Sequence, residues 1–178
     1  MTKNILVYGL IAGAIVSTLM LLSINYYSFC QGNVDYNTSM LIGYASMLLA
    51  FSLIFIGIKN YRDKYNGGII SFGKAFKIGI LIALIASTMY VVSWLIAYYF
   101  FMPDFMEKMS DTMLDQLREG GASQAEIDQQ AKEMAEFSVM YKNPFFNALM
   151  TYMEILPVGI VVTLISCFIL KRKEVKVA

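Results

Sequence analysis

Residues Thr151–Ile160 read TYMEILPVGI, inside a 28-residue run, Asn143–Leu170, whose only charged residue is Glu154. A run of that length and apolarity is what a helix needs to cross a hydrocarbon core about 30 Å thick, which takes about 20 apolar residues. The carboxylate then stands inside a membrane helix, three residues before Pro157. Counting from Phe145, it lies about 13 Å into the span at 1.5 Å per residue, too deep for its short side chain to reach the headgroups.

The rest of the chain agrees with a bilayer. Of 178 residues, 58% are hydrophobic and 15% charged, with a mean hydropathy of +0.59; soluble domains carry about 25% charged residues. No charge occurs between Lys3 and Asp35, between Asp35 and Lys59, or between Lys77 and Asp104. Together with the Glu154 run these give four spans, at about 5–24, 40–58, 78–101 and 145–170. Each must be a helix, because a lone strand cannot satisfy its backbone in lipid. The expected fold is an all-α membrane protein: one membrane domain, a four-helix transmembrane bundle with a short extracytoplasmic helical hairpin at about 103–143. The first span is read as retained. Its apolar core is longer than the 7–15 residues of a signal peptide, no A-x-A-like site follows, and Tyr27-Ser28-Phe29 before Cys30 is a poor lipoprotein context.

Charge fixes the expected orientation. Ten of the fourteen basic residues fall at Lys3, in 59–77 and in the tail after Leu170, whereas Asn25–Ser39 has none and Met102–Pro144 has four against nine acidic ones. The positive-inside rule therefore puts both termini and the 59–77 segment in the cytoplasm of an inner-membrane protein. Lys59, Arg62, Lys64, Lys74, Lys77, Lys171, Arg172 and Lys173 become candidate contacts to anionic lipid headgroups, at about 1 kcal/mol each. Cys30 and Cys167 fall at opposite ends of their spans, too far apart for a bridge that needs Cα atoms within about 7 Å.

In Met102–Pro144, Met106, Met109, Met113 and Leu117 recur on one helical face. Gly120-Gly121 stops that helix. Ser123-Gln124-Ala125-Glu126 fits a capping box that opens a second one, with Ile127, Ala131, Met134 and Ser138 on its apolar side and Asn143-Pro144 at its end. Forty-three residues are few for an independent core. Thioethers can bind Cu(I), but no Cys or His joins the methionines, and gap-filling packing accounts for them.

Residues Gly68–Ala75, GIISFGKA, nearly match a P-loop. The hydroxyl that magnesium needs is replaced by Ala75, and a membrane span stands where a strand should. A glycine turn with Ser71 capping the third span is the expected local structure.

Four spans, the stretch GGIISFGKAFKIG (Gly67–Gly79) and the stretch EILPVGIVVTLIS (Glu154–Ser166) together resemble the family called Domain of Unknown Function 4199. The resemblance covers essentially the whole chain and implies a multi-span bacterial inner-membrane protein without an assigned activity or catalytic residue.

Gly9, Gly13 and Ser17, Gly79, Ala83 and Ser87, and Gly159 and Thr163 recur at four-residue spacing, as helix contacts in lipid do. They fit packing inside one bundle or a seam between copies. Trp94, Tyr98, Tyr99, Tyr26, Tyr27 and Tyr152 lie toward the outer ends, where interfacial aromatics sit. The chain has no histidine, no nucleophile–base pair and no ligand cluster, so an enzyme is not expected, nor a cofactor, a metal or a nucleic-acid partner. The expected function is a structural or accessory subunit in contact with the bilayer and with a partner membrane protein or its own copies. The alternative is a proton- or ion-linked transport component using Glu154 and Pro157. Glu154 is expected to face protein, hydrogen-bonded to hydroxyls such as Ser46, Tyr90 or Ser93.

Overall fold

The computed structural model describes residues 1–29 and 36–172, with the side chains of 25–29 and 36–39 left aside. Cys30 and Lys173 lie outside the described residues, as do the Tyr26 and Tyr27 side chains. Six helices follow in order: α1 (Thr2–Phe29), α2 (Tyr36–Tyr65), α3 (Phe72–Phe101), α4 (Phe105–Glu119), α5 (Gln124–Tyr141) and α6 (Pro144–Leu170). Four are long and apolar enough to cross a membrane, over Thr2–Ile24, Met40–Tyr65, Phe72–Phe101 and Pro144–Leu170. The protein is thus an all-α, multi-pass membrane protein with spans where the uncharged runs put them. The second span runs past residue 58 and the third begins before 78, because both helices continue into basic residues.

The described residues divide into two compact units, those within 1–91 together with 152–172, and Val92–Thr151. In the first, the fully buried core is aliphatic and aromatic: Val16, Phe51, Ile54, Ile58, Ile78, Ile82 and Ile155. Lipid supplies no hydrophobic force between helices, so dispersion and close backbone approach must hold them. The small-residue stripes provide that approach inside the chain. A Cβ on Gly9 would stand 2.8 Å from Ile85 Cβ, and one on Gly13 would stand 2.5 Å from Met89 Sδ, so α1 lies against α3. A Cβ on Gly79 would stand 2.6 Å from Thr163 Cγ2 and one on Gly159 would stand 2.9 Å from Ala83 Cβ, so α3 lies equally close to α6. Asn60 Nδ2 donates to Tyr8 Oη at 3.0 Å, tying α2 to α1. On the outer faces, Leu10, Leu41, Leu49, Val161 and Ile169 are exposed. An apolar surface of that extent is untenable in water and ordinary against acyl chains.

The second unit contains α4 and α5, which pack on each other, with the end of α3 and the start of α6. Met106, Ile127 and Met134 are buried, and Met109 and Leu117 are half-buried, so the apolar faces do meet. Met113 is exposed, its sulfur accepting a hydrogen bond from Gln130 Nε2 at 3.7 Å. The capping box forms: Ser123 accepts from the Glu126 N–H, and the Glu126 carboxylate accepts from the Ser123 N–H at 2.8 Å. Asn143 serves α6, since its Oδ1 accepts from the Phe145 N–H at 2.9 Å. Pro144 follows as the first helical residue, where its missing N–H costs nothing.

Trp94 centres this unit. Its Nε1 donates to Asn147 Oδ1 at 2.9 Å and to Tyr141 Oη at 3.1 Å, and its ring meets Phe105 edge-on at 5.0 Å. Trp94 and Tyr98, toward the outer end of α3, are therefore buried among aromatic rings. Tyr99 is exposed, with its hydroxyl donating to the Lys142 carbonyl at 3.0 Å.

Two outcomes test these assignments. Gly79→Val, which drives side-chain atoms into Thr163, should lower stability by about 1–3 kcal/mol, as overpacking does. Gly43→Ala, with open space around its Cβ, should change it by no more than about 0.5 kcal/mol; unfolding in detergent measures both. The hydrogen bonds from Ser123 hold the Glu126 carboxyl below the usual carboxylate range. A group depressed on folding stabilises fully above its unfolded-state value and loses that contribution as pH falls through the folded one. Amide exchange in the first turn of α5, corrected for intrinsic rates, should therefore accelerate as the solution is acidified below the ordinary glutamate range; Glu126→Gln, which cannot titrate, should abolish that dependence, and Ser123→Ala, which keeps the backbone N–H donor, should only reduce it.

Candidate functional site

Two places bear on function: the middle of α6 and the turn between α2 and α3.

Helix α6 continues through Pro157 without a break. Proline lacks an N–H, so the Met153 carbonyl one turn earlier loses its helical partner. One face of α6 is buried: Ile155, Gly159, Thr163 and Cys167. Glu154 lies on the opposite side. It is exposed, in a stripe with Met150, Pro157, Val161 and Ile165. The expectation that Glu154 turns into its own bundle is thereby corrected. The reason is register: Gly159 must face Ala83 and Phe51, and a residue five positions earlier on a 3.6-residue helix points elsewhere. Ser46, one of the proposed partners, donates instead to the Ile42 carbonyl of its own helix at 2.7 Å. Ten residues from Pro144, Glu154 is about 15 Å along the helix axis. The site thus combines a carboxyl group, an exposed apolar stripe and a freed carbonyl.

The α2–α3 turn places the basic residues. Gly67 and Gly68 adopt φ of 62° and 79°, a region side chains disfavour. The Gly68 N–H bonds the Arg62 carbonyl at 2.9 Å, and Asn66 Nδ2 donates to the Ile69 carbonyl. Ser71 caps α3 as expected, accepting from the Lys74 N–H at 3.4 Å. The near P-loop is therefore a helix–turn–helix connection whose glycines serve the turn. Beside it, Ile70 and Arg172 form an antiparallel bridge, N–H to carbonyl at 3.2 and 3.0 Å.

Two of the candidate headgroup contacts bond within this turn. Arg62 is buried: its Nε donates to Asp63 Oδ1 at 2.6 Å, and its Nη1 approaches the Leu170 carbonyl at 3.4 Å. Lys74 donates to Asn66 Oδ1 at 2.7 Å and stands 5.2 Å over the Tyr61 ring. Both hold the turn, and for buried Arg62 the reading as a lipid contact is corrected. Lys59, Lys64, Lys77, Lys171 and Arg172 are exposed, with the Lys171 ammonium 5.2 Å over Phe168. Sequence reasoning missed Arg62 as a structural residue; its signal was the adjacent Asp63, which neutralises it.

Against this geometry, a family model described as "Protein of unknown function (DUF4199)" matches residues 7–172. The chain belongs to the DUF4199 family. No curated protein and no solved structure matched it. The matched range takes in most of the first span of this DUF4199 protein, the other three spans, the glycine turn and Glu154.

Arg62→Met should cost about 1–3 kcal/mol, because Asp63 and the Leu170 carbonyl lose a buried donor. Lys59→Met, at an exposed position, should stay within about 0.5 kcal/mol. Unfolding of both variants in detergent reads the difference.

Proposed function

We propose that this DUF4199 protein is a non-enzymatic interaction subunit of the bacterial inner membrane. Both termini and the basic α2–α3 turn are assigned to the cytoplasm and the α4–α5 hairpin to the outside, on the strength of the lysine and arginine distribution. Its contact surface is the Glu154 stripe of α6, and the contact is with a helix of another membrane protein.

The observation that carries this reading is the exposure of Glu154 in mid-span. An ionisable residue at that depth costs about 2.5–3.5 kcal/mol on insertion scales. The eleven Leu, Ile, Val and Phe residues of 155–170 return about 3–7 kcal/mol at about 0.3–0.6 each, so α6 inserts regardless. What remains is a polar group facing acyl chains, and a hydrogen-bonding side chain on a neighbouring helix relieves it. The Met153 carbonyl offers that neighbour a second acceptor. The transport alternative needs several copies enclosing a path with Glu154 on its axis, because the carboxyl group is on the outside of a single chain.

A photoreactive residue at Met153, in the same exposed stripe, distinguishes these. The expected product is one adduct with a different membrane protein. Glu154→Gln, which keeps hydrogen bonding, should preserve its yield. Glu154→Leu should weaken association about 5–30-fold, the equivalent of about 1–2 kcal/mol for an interhelical hydrogen bond. Adducts to lipid alone would overturn the proposal, and a defined homo-oligomer by native mass spectrometry would replace it with the transport reading.

A further inference from the structure

At the base of the α4–α5 hairpin the second unit carries an open cavity of about 310 Å³, at the small end of the range for ligand sites. Its floor is apolar and buried: Tyr98, Met106 and Met134. Its walls are charged. Glu107 and Asp111 line it from successive turns of α4, and Lys142 lines it from the C-terminal end of α5. The ion pairs among the described residues are Arg62–Asp63 and Arg118–Asp115. Lys142, Glu107 and Asp111 belong to neither, so one cation and two carboxylates border the same small space without direct pairing. The Lys142 backbone is fixed at both ends, its N–H donating to the Ser138 carbonyl at 3.2 Å and its carbonyl accepting from Tyr99.

The cavity's level within this unit is informative. The apolar run of α3 ends at Phe101 and that of α6 begins at Pro144. Phe101 and Phe145 are 77% and 80% exposed, as rings at the hydrocarbon edge are. Tyr98 and Lys142 lie at these same helix ends, which is headgroup level.

We propose that this cavity binds a phosphoethanolamine group. Lys142 pairs with the phosphate, toward which the hydroxyls of Ser110 and Ser138, also in the lining, can donate. The primary ammonium lies between Glu107 and Asp111, and its methylenes rest on the methionine floor. The charge pattern selects this zwitterion. Choline has no N–H to donate to the carboxylates. A phosphoglycerol headgroup has no cation, and the two carboxylates repel it. The group is carried by phosphatidylethanolamine in the surrounding leaflet or by a soluble glycerophosphoethanolamine.

Trp94 is the only tryptophan of the chain, and its ring centroid is 6.0 Å from that of Tyr98. Its emission therefore reports on the cavity floor. The full-length protein in phosphatidylcholine nanodiscs is titrated with phosphatidylethanolamine, with phosphatidylglycerol, or with soluble glycerophosphoethanolamine. A saturable change with phosphatidylethanolamine, its midpoint raised about tenfold by Lys142→Ala and by Asp111→Asn as loss of a charged hydrogen-bond partner implies, supports the site and its lipid source. The same response to the soluble compound in pure phosphatidylcholine supports the site and assigns the free solute. Both altered side chains are exposed, and unchanged circular dichroism and basal Trp94 emission confirm that the variants are folded. An equal response to phosphatidylglycerol, no saturable response to either ethanolamine compound, or variants that bind like the parent would overturn the proposal.

Discussion

In hydrocarbon, helices have no water to escape from, so they stay together only where their surfaces touch at short range. The first unit of this chain depends on that constraint. Gly9 and Gly13 let α1 onto α3, and Gly79 and Gly159 bring α3 and α6 within side-chain contact of each other's axes. Once those faces are committed inward, the remaining faces are decided. Leu10, Leu41, Val161 and Ile165 are left for lipid, and Glu154 is left with them.

Several polar groups near the helix ends are satisfied there. Arg62 reaches the Leu170 carbonyl, the last of α6, Ser71 and Asn143 cap the helices that follow them, and Trp94 donates to Asn147. Each of these satisfies a backbone or amide group that a membrane would penalise. Glu154 is handled differently. It lies far from either end of α6, on the outside, next to a proline that adds an unpaired acceptor instead of removing one. Stability of a single chain gives no reason for that combination, whereas a neighbouring helix would.

Length and hydropathy made the four spans legible, and turn chemistry made α4, α5 and their capping box legible, because both signals are local. The inward direction of the glycine stripes was half legible: spacing showed a contact face, and only the three-dimensional register showed that its partner was Ile85, Met89, Ala83 or Thr163 in the same chain. The direction of Glu154 was misread. Its partner was sought by depth along the bundle, but the angle around the helix decides, and Gly159 sets that angle. Arg62 was misread for a related reason. Basic residues near a membrane surface read as headgroup contacts in sequence, while Asp63 and the Leu170 carbonyl stand close enough to claim Arg62. The mixed-charge cavity was invisible, since it brings together residues from α3, α4 and α5 that no spacing rule connects.

The Ile70–Arg172 bridge has a bearing on how the chain is assembled. Its two strands of backbone are separated by about a hundred positions of synthesis, with the third span, the hairpin and the fourth span between them. Contacts so far apart in sequence form late, since the intervening loop must be closed first. The glycine turn after α2 therefore waits with an unpaired N–H and carbonyl until α6 has threaded the bilayer in the correct direction. If α6 fails to cross, or crosses reversed, Arg172 arrives on the wrong side and the latch stays open. The bridge thus acts as a record of completed insertion, written in two backbone hydrogen bonds at the place where the turn between the second and third spans meets the end of the last.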